Sequence, residues 1–206
     1  MAPHPVSPDS PDARSAPGAE LGAVVLSGGR AERLQGADKA TLEVGGVPLL
    51  ERVLAALAEV PDVVVVGDPV PTSRTVTFTR EDPVGGGPAA ALLAGVRALP
   101  RTPRLLVVLA VDAPFVTTAT VSRLLLSSRD HGALLVDEGG RRQYLCAVYL
   151  TAALLAAAPA PGEEQGLAVR RLVADLDLAE VPALPWEARD VDTWEDLRAL
   201  QERLDG

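Results

Sequence analysis

Apolar residues along this chain fall into two kinds of run. Residues 22–27 read as a strand, 63–66 are a continuous β-branched run and 105–111 are fully apolar, the pattern of strands buried on both faces. Between them, residues 49–59, 88–99 and 117–126 carry apolar positions at helical spacing, with Pro88 suited to a first helical turn. Residues 75–79 form a short β-like segment, 133–136 and 144–150 read as strands, and 167–176 reads as a helix. The last helix has a clear start: Thr193 followed by Asp196 is a capping box with Asp in the usual Glu position. Trp194, Leu197, Leu200 and Leu204 then follow at helical spacing and are expected in the core. Two-faced apolar strands alternating with helices predict a parallel sheet covered by helices on both sides. Ligands of such sheets bind at the carboxyl ends of the strands. Residues 1 to about 20 hold five prolines and no periodicity, so they are expected to be a disordered tail. Residues 21–206 then form one domain, with no internal repeat.

Composition narrows the class. Of 206 residues, 48% are hydrophobic but only 3% aromatic, so the core is expected to be built of Val, Leu and Ala. A net charge of −9 argues against nucleic-acid or membrane-surface binding, which needs a basic face. No apolar run approaches the roughly 18 residues of a membrane span, and no apolar leader opens the chain. The single cysteine, Cys146, allows neither an internal disulfide nor a multi-thiolate zinc site, and its apolar strand context reads as inert core. A cytoplasmic protein is expected. His4 lies in the tail and His131 in a polar loop, with no G-x-S-x-G elbow, which leaves little for a Ser–His or Cys–His hydrolase. One basic residue stands apart: the chain has 19 Lys plus Arg, and Lys39 is the only lysine.

Four segments carry chemistry. In residues 26–39, a buried strand runs into paired glycines, followed by Arg33 and Lys39. Glycine backbone can approach a ligand closely and point N–H groups at phosphate or a base edge. By itself the segment also fits a tight turn with solvated charges. In residues 80–88, Glu81 and Asp82 precede Gly85, Gly86 and Gly87, which lead into Pro88. A helix N-terminus there favours an anion, although a flexible connector has the same composition. Asp112 ends the third apolar strand, where a carboxylate is a natural Mg²⁺ ligand beside phosphates, or a turn residue. Asp190 and Asp192 alternate about Val191, so in extended backbone they face the same way. One of them is then a candidate second metal ligand, unless Asp192 merely caps the last helix.

The order Leu26-Ser27-Gly28-Gly29, Arg33-Leu34, Asp38-Lys39, Gly45-Gly46-Val47-Pro48-Leu49, Glu81-Asp82, Gly87-Pro88, Val111-Asp112-Ala113-Pro114 and Asp190-Val191-Asp192-Thr193 resembles the signature of nucleotidyltransferases with a modified Rossmann-like sheet. Within them it is most similar to the molybdenum cofactor guanylyltransferase family, over about residues 21–204. The resemblance implies a three-layer, Rossmann-like α/β fold of the nucleotide-diphospho-sugar-transferase type with a mostly parallel sheet. It implies transfer of GMP from GTP to molybdopterin or molybdenum-molybdopterin, with Mg²⁺ as cofactor and pyrophosphate as the second product. Molybdoenzymes or their chaperones would be downstream partners. Carried over by motif, Leu26, Ser27, Gly28 and Gly29 would hold the base and ribose side. Arg33 and Lys39 would bind the triphosphate, Asp82 and Gly87 would lie by the nucleotide, Asp112 would hold the metal, and Asp192 would add a contact to it or lie near the pterin.

The chain departs from that pattern in its C-terminal half. Asp192 and Trp194 stand where relatives often have Asn and Pro, and Arg141-Arg142-Gln143-Tyr144 differs from a His-Pro-Thr type. Arg142, Arg170 and Arg171 are candidates to meet an anionic acceptor, or are solvated. Cytidylyl-transferring relatives have Leu-Ala-Ala-Gly in the opening loop, whereas Gly28 leaves room for a purine. The alternatives are a cytidylyltransferase, a guanylyltransferase for a small phosphorylated acid, and a silent nucleotide or cofactor carrier.

Overall fold

The computed structural model describes residues 20–28 and 38–205, the last three by backbone alone. The proline-rich segment 1–19 and residues 29–37, with Gly29 and Arg33, lie outside the described residues.

The chain order is β1 (Leu21–Leu26), a single 3₁₀ turn (Lys39–Thr41), β2 (Glu43–Val44), β3 (Val47–Pro48), α1 (Leu49–Ala56), β4 (Asp62–Val66), β5 (Thr77–Thr79), α2 (Pro88–Ala98), β6 (Leu105–Ala110), α3 (Thr118–Ser127), β7 (Gly132–Val136), β8 (Arg142–Leu150), α4 (Thr151–Ala156), α5 (Val169–Leu172), β9 (Ala179–Pro182) and α6 (Trp194–Asp205). Seven strands make one sheet in the order β5-β4-β1-β6-β8-β7-β9. β1 pairs in parallel with both β4 and β6, with Leu26 opposite Val66 on one side and Ala110 on the other. The chain goes out from β1 to β4 and β5, then returns across β1 to β6. That reversal opens a crevice at the carboxyl ends of β1 and β6, where open α/β sheets take their ligands.

Period-two alternation sends successive strand residues to opposite faces. Ala23, Val25, Val107 and Leu109 pack with Leu49, Val53 and Leu57, with Val121 and Leu124 of α3, and with Leu200 of α6. Val24, Leu26, Leu106 and Val108 pack with Leu92, Leu93 and Val96 of α2, Leu154 of α4, and Val169 and Leu172 of α5. These two cores on one sheet are the three layers expected from the resemblance, and aliphatic residues dominate both. No helix among the described residues is long and apolar enough to cross a membrane.

Three details differ from the sequence reading. The sheet is only mostly parallel: β8 runs antiparallel to β6 and to β7, because residues 137–141 close a short hairpin between β7 and β8. The helix expected over 167–176 is the single turn of α5. Beyond Val173 the backbone bonds run to the third preceding carbonyl, as in Ala174 to Arg171 and Leu176 to Val173, which tightens the chain into its turn toward β9. Trp194 is 41% exposed, whereas Leu200 is buried and Leu197 packs at the edge of the core. At 3.6 residues per turn, Trp194 lies about 60° from Leu197 and about 120° from Leu200, off the buried stripe. The Leu204 side chain lies outside the described residues. The capping box, in contrast, forms: Asp196 N–H donates to Thr193 Oγ1 at 3.1 Å and Thr193 N–H to Asp196 Oδ2 at 2.8 Å.

The small hairpin β2–β3 turns through Gly45 and Gly46, with φ of 61° and 71°. Two consecutive positive φ values are what a two-residue hairpin loop of the favoured twist demands. It leads directly into α1 and brings residues 38–42 back beside the sheet, with Leu49 N–H bonded to Leu42 O at 2.8 Å.

Gly95 fixes how closely α2 sits on the sheet. A Cβ there would lie 2.5 Å from Val24 Cγ1 and 2.9 Å from Val66 Cγ2, both on buried residues. Gly95→Ala normally adds about 1 kcal/mol in a helix interior. Here the sign reverses, with a net loss of about 1–3 kcal/mol from overpacking, measurable as a lower midpoint in urea unfolding at unchanged slope.

Candidate functional site

β1 is followed by Ser27 and Gly28, whose N–H groups both donate to Val66 O at 3.0 Å. That shared acceptor turns the chain away from β4 at the sheet's edge. The Gly28 N–H, expected to face a ligand, is thus committed to the backbone. Gly67 follows β4, and a Cβ on it would meet Ser27 Cβ at 3.0 Å. Two small residues side by side leave the strand ends open, and a cleft of about 640 Å³ lies there. Its lining includes Leu26, Ser27, Gly28, Lys39, Gly67, Arg80, Glu81, Gly87, Ala110 and Asp112. The sequence reading missed Gly67, although a glycine directly after an apolar strand was the available signal. It also passed over Arg80, which lines the cleft and pairs with Asp68 at 2.6 Å. Asp82 is exposed and outside this lining. Its neighbour Glu81 lines the cleft and accepts from Gly85 N–H at 3.0 Å.

Glycines 85–87 end against the start of α2. Gly85 and Gly87 have φ of 84° and 90°, which side chains rarely adopt. The N-terminus of α2 is less free than expected. Pro88 has no N–H, and Ala89 N–H donates to Leu167 O at 3.2 Å. Gly166 N–H in turn donates to Gly86 O at 2.8 Å. The glycine segment is therefore stitched to residues 166–167, which run into α5.

At the end of β6, Asp112 meets two other parts of the chain. Its backbone carbonyl accepts from Val191 N–H at 2.8 Å, which brings residues 190–192 alongside. Its Oδ2 accepts from Lys39 Nζ at 2.9 Å, and Asp192 Oδ1 accepts from the same nitrogen at 2.8 Å. Lys39 begins the 3₁₀ turn that Asp38 caps, with Asp38 Oδ1 accepting from Ala40 N–H at 3.0 Å. Three positions singled out in the sequence, separated by up to 153 residues, therefore converge on one nitrogen. Burial opposes the charge on Lys39, but the hydrogen bonds and charges of Asp192 and Asp112 outweigh it and raise its pKa. Asp190 stands beside them. Desolvation and the charges of Asp112 and Asp192 push its carboxyl up to about 6, against the pull of Arg141 and Lys39.

A second cleft of about 270 Å³ continues past Asp112, lined by Arg141, Gln143, Tyr144, Arg170 and Asp190 among others. Arg142, expected to meet an acceptor, also lines it, but its guanidinium is bound to Glu180 through Nε at 2.7 Å and Nη2 at 2.6 Å. Arg171 is exposed and outside both linings. Arg141 and Arg170 form no ion pair among the described residues. Cys146 forms part of the wall, and burial pushes its thiol up to about 12, so it is a packing residue. His131 is turned elsewhere, its Nδ1 accepting from Asp177 N–H at 3.0 Å.

Glu187 anchors the wall of this second cleft, a role with no signal in the sequence. Its carboxylate accepts from Thr120 Oγ1 (2.6 Å), Arg123 Nη1 (2.7 Å) and Nη2 (2.9 Å), and Leu184 N–H (2.7 Å). Nearby, the Trp186 ring lies 5.5 Å from Phe115 with the Arg189 guanidinium 4.5 Å above it.

A family model described as MobA-like NTP transferase domain matches residues 23–181. The chain is 33% identical over 141 residues to a molybdenum cofactor guanylyltransferase of Mesorhizobium japonicum, covering 64% of this chain and 68% of that protein. It is 31% identical over 195 residues to a molybdenum cofactor guanylyltransferase of Rhodobacter capsulatus, covering 89% and 96%. Among solved structures, the 2-C-methyl-D-erythritol 4-phosphate cytidylyltransferase of Thermus thermophilus superposes with a TM-score of 0.67 at 23% identity, over 91% of this chain and 100% of that one. At that identity the likeness concerns the fold.

Glu187 gives a pH-dependent stability. Burial would raise its pKa, but Arg123, Thr120 and Leu184 N–H outweigh this and lower it below the ordinary 4.5. The carboxylate therefore contributes fully above the ordinary Glu range, and its contribution is lost as pH falls through the depressed folded value. Glu187→Gln is expected to cost about 2 kcal/mol at neutral pH. The gap from the parent chain should close on acidification, as followed by urea unfolding between pH 7 and 3.

Proposed function

This chain belongs to the MobA-like NTP transferase family, and from that premise we propose that it transfers GMP from GTP to molybdopterin or molybdenum-molybdopterin, releasing pyrophosphate. It is a nucleotidyltransferase. The observation that carries the reading is the convergence of Asp112 and Asp192 on Lys39 Nζ, at 2.9 and 2.8 Å, where the two clefts meet. Both guanylyltransferase relatives named above share the family and more than two thirds of their length with this chain, which favours GTP over CTP.

In this reading the larger cleft takes the nucleotide. Leu26, Ser27 and Gly28 form its floor, and Gly29 is assigned to the same contacts. Gly87 lines this cleft at the start of α2, and Glu81 faces it where Asp82 was expected. Lys39, as a compact point charge, and Arg33, as a bidentate donor, neutralise the β- and γ-phosphates. The second cleft takes the acceptor, whose terminal phosphate meets Arg141 and Arg170. That phosphate oxygen attacks the α-phosphorus of GTP, the bond to the bridging α–β oxygen breaks, and pyrophosphate carries off the electron pair. The attacking phosphate is already ionised, so the chain supplies no general base. It supplies alignment and positive charge against the mutual repulsion of two anions.

The residues fit a divalent cation, assigned as Mg²⁺. Asp112 and Asp192 are hard oxygen donors that already aim at one point, and Mg²⁺ is held by one or two carboxylates plus substrate phosphates. When bound it would neutralise phosphate charge and orient the α-phosphate. The dinucleotide product would pass to molybdoenzymes or their chaperones in the cytoplasm.

The test is pyrophosphate release with Mg²⁺, molybdopterin and each nucleoside triphosphate in turn. Turnover with GTP alone is expected. Turnover with CTP alone would reverse the base assignment, and nucleotide binding without turnover would indicate a carrier. Asp112→Ala is expected to lower the rate at least about 10²-fold with an unchanged circular dichroism spectrum; full activity would remove Asp112 from the site.

A further inference from the structure

Lys39 lines the larger cleft, but its ammonium is already engaged by two carboxylates. Its side chain is 12% exposed, and its nitrogen is held by the same two carboxylates to which the preceding section assigns a divalent cation. The two cations compete for one pair of oxygens. Asp112 and Asp192 are themselves reachable, with side chains 25% and 54% exposed, so the ammonium is what occupies the pair.

We propose that Lys39 is the resident counter-ion of Asp112 and Asp192, excluding a divalent cation from that pair until the phosphates of a nucleotide draw the ammonium away. The proposal rests on the nucleotidyltransferase reading only in naming a nucleoside triphosphate as the competing anion. It makes metal and nucleotide binding cooperative, and linkage makes that cooperativity reciprocal. It also gives a reason for a lysine in a chain whose other 18 basic residues are arginine. An ammonium on a flexible stem makes single-point contacts that a competing anion can replace. A guanidinium fork would grip the two carboxylates by paired hydrogen bonds and stay.

Two measurements test this without turnover. In the first, Mn²⁺ is titrated into nucleotide-free protein and free Mn²⁺ is counted by electron paramagnetic resonance. Lys39→Met is expected to bind Mn²⁺ at least about 10-fold more tightly than the parent chain, which corresponds to about 1.4 kcal/mol. Lys39→Arg should bind as weakly as the parent, and adding Asp112→Asn to Lys39→Met should abolish the gain. Equal or weaker binding by Lys39→Met, a gain that survives Asp112→Asn, or equal gains in Lys39→Arg and Lys39→Met would each overturn the proposal. Should Lys39→Met fail to fold, Lys39→Gln carries the same comparison. In the second, [ε-¹³C]lysine labelling gives one lysine resonance, because Lys39 is the only lysine. That resonance should shift with metal-free GTP and stay fixed with 1 equivalent of Mg²⁺ alone, taken as an order-of-magnitude dose. A resonance unmoved by GTP, while GTP binding is seen by calorimetry, would overturn the exchange. The Mn²⁺ comparison uses neither nucleotide nor acceptor, so it stands or falls separately from the transfer assay.

Discussion

Everything in this molecule depends on the parallel pairing of β1 with its two neighbours. β1 is apolar along its length, so it is stable only when both of its faces are covered, and that places it mid-sheet between β4 and β6. Parallel pairing then brings the carboxyl ends of three strands to one edge. Ser27, Gly67 and Asp112 arrive there from separate parts of the chain because the hydrogen-bond register allows no other arrangement. The cleft is thus a by-product of how the core is buried, and its chemistry comes from which residues follow each strand.

Those residues separate two problems. Close approach is solved by small side chains: Gly28 and Gly67 open the strand ends, and Gly87 takes a φ of 90° at the start of α2. Charge is solved by a mixed cluster. One ammonium faces Asp112 and Asp192, with Asp190 close enough to feel both. Such a cluster is short of positive charge for its carboxylates, which suits the proposed binding of a further cation together with a polyanion. The two clefts share Asp112, Ala110, Pro88 and Leu145, so they meet over the end of β6.

Much of this was legible in the sequence. The central strands, α1 to α3 and the capping box at Thr193 follow from periodicity and local chemistry, which act over a few residues. Asp112 was visible by its place after an apolar run, Lys39 as the only lysine beside a glycine segment, and Asp192 by its alternation with Asp190. Their mutual contact was not, because it depends on Val191 N–H pairing with Asp112 O across 79 positions of sequence. The direction of β8 was hidden for a similar reason: an apolar strand reads the same whichever way it runs. Glu187 was invisible because a glutamate in a polar stretch gives no sign that an arginine from α3 will enclose it. Trp194 misled because its spacing matches a helical period while its angular position does not.

The backbone stitch between Gly86 and Gly166, and between Ala89 and Leu167, gives the architecture a mechanical character. The glycine segment belongs to the larger cleft, and α5, which follows Leu167 directly, carries Arg170 into the smaller one. Two main-chain hydrogen bonds make these parts one frame. Their separation is set by peptide geometry, not by the rotamers of long side chains, so the main chain fixes the spacing of the two clefts. In the proposed transfer between two anions, such a frame would supply the effective concentration that free diffusion denies.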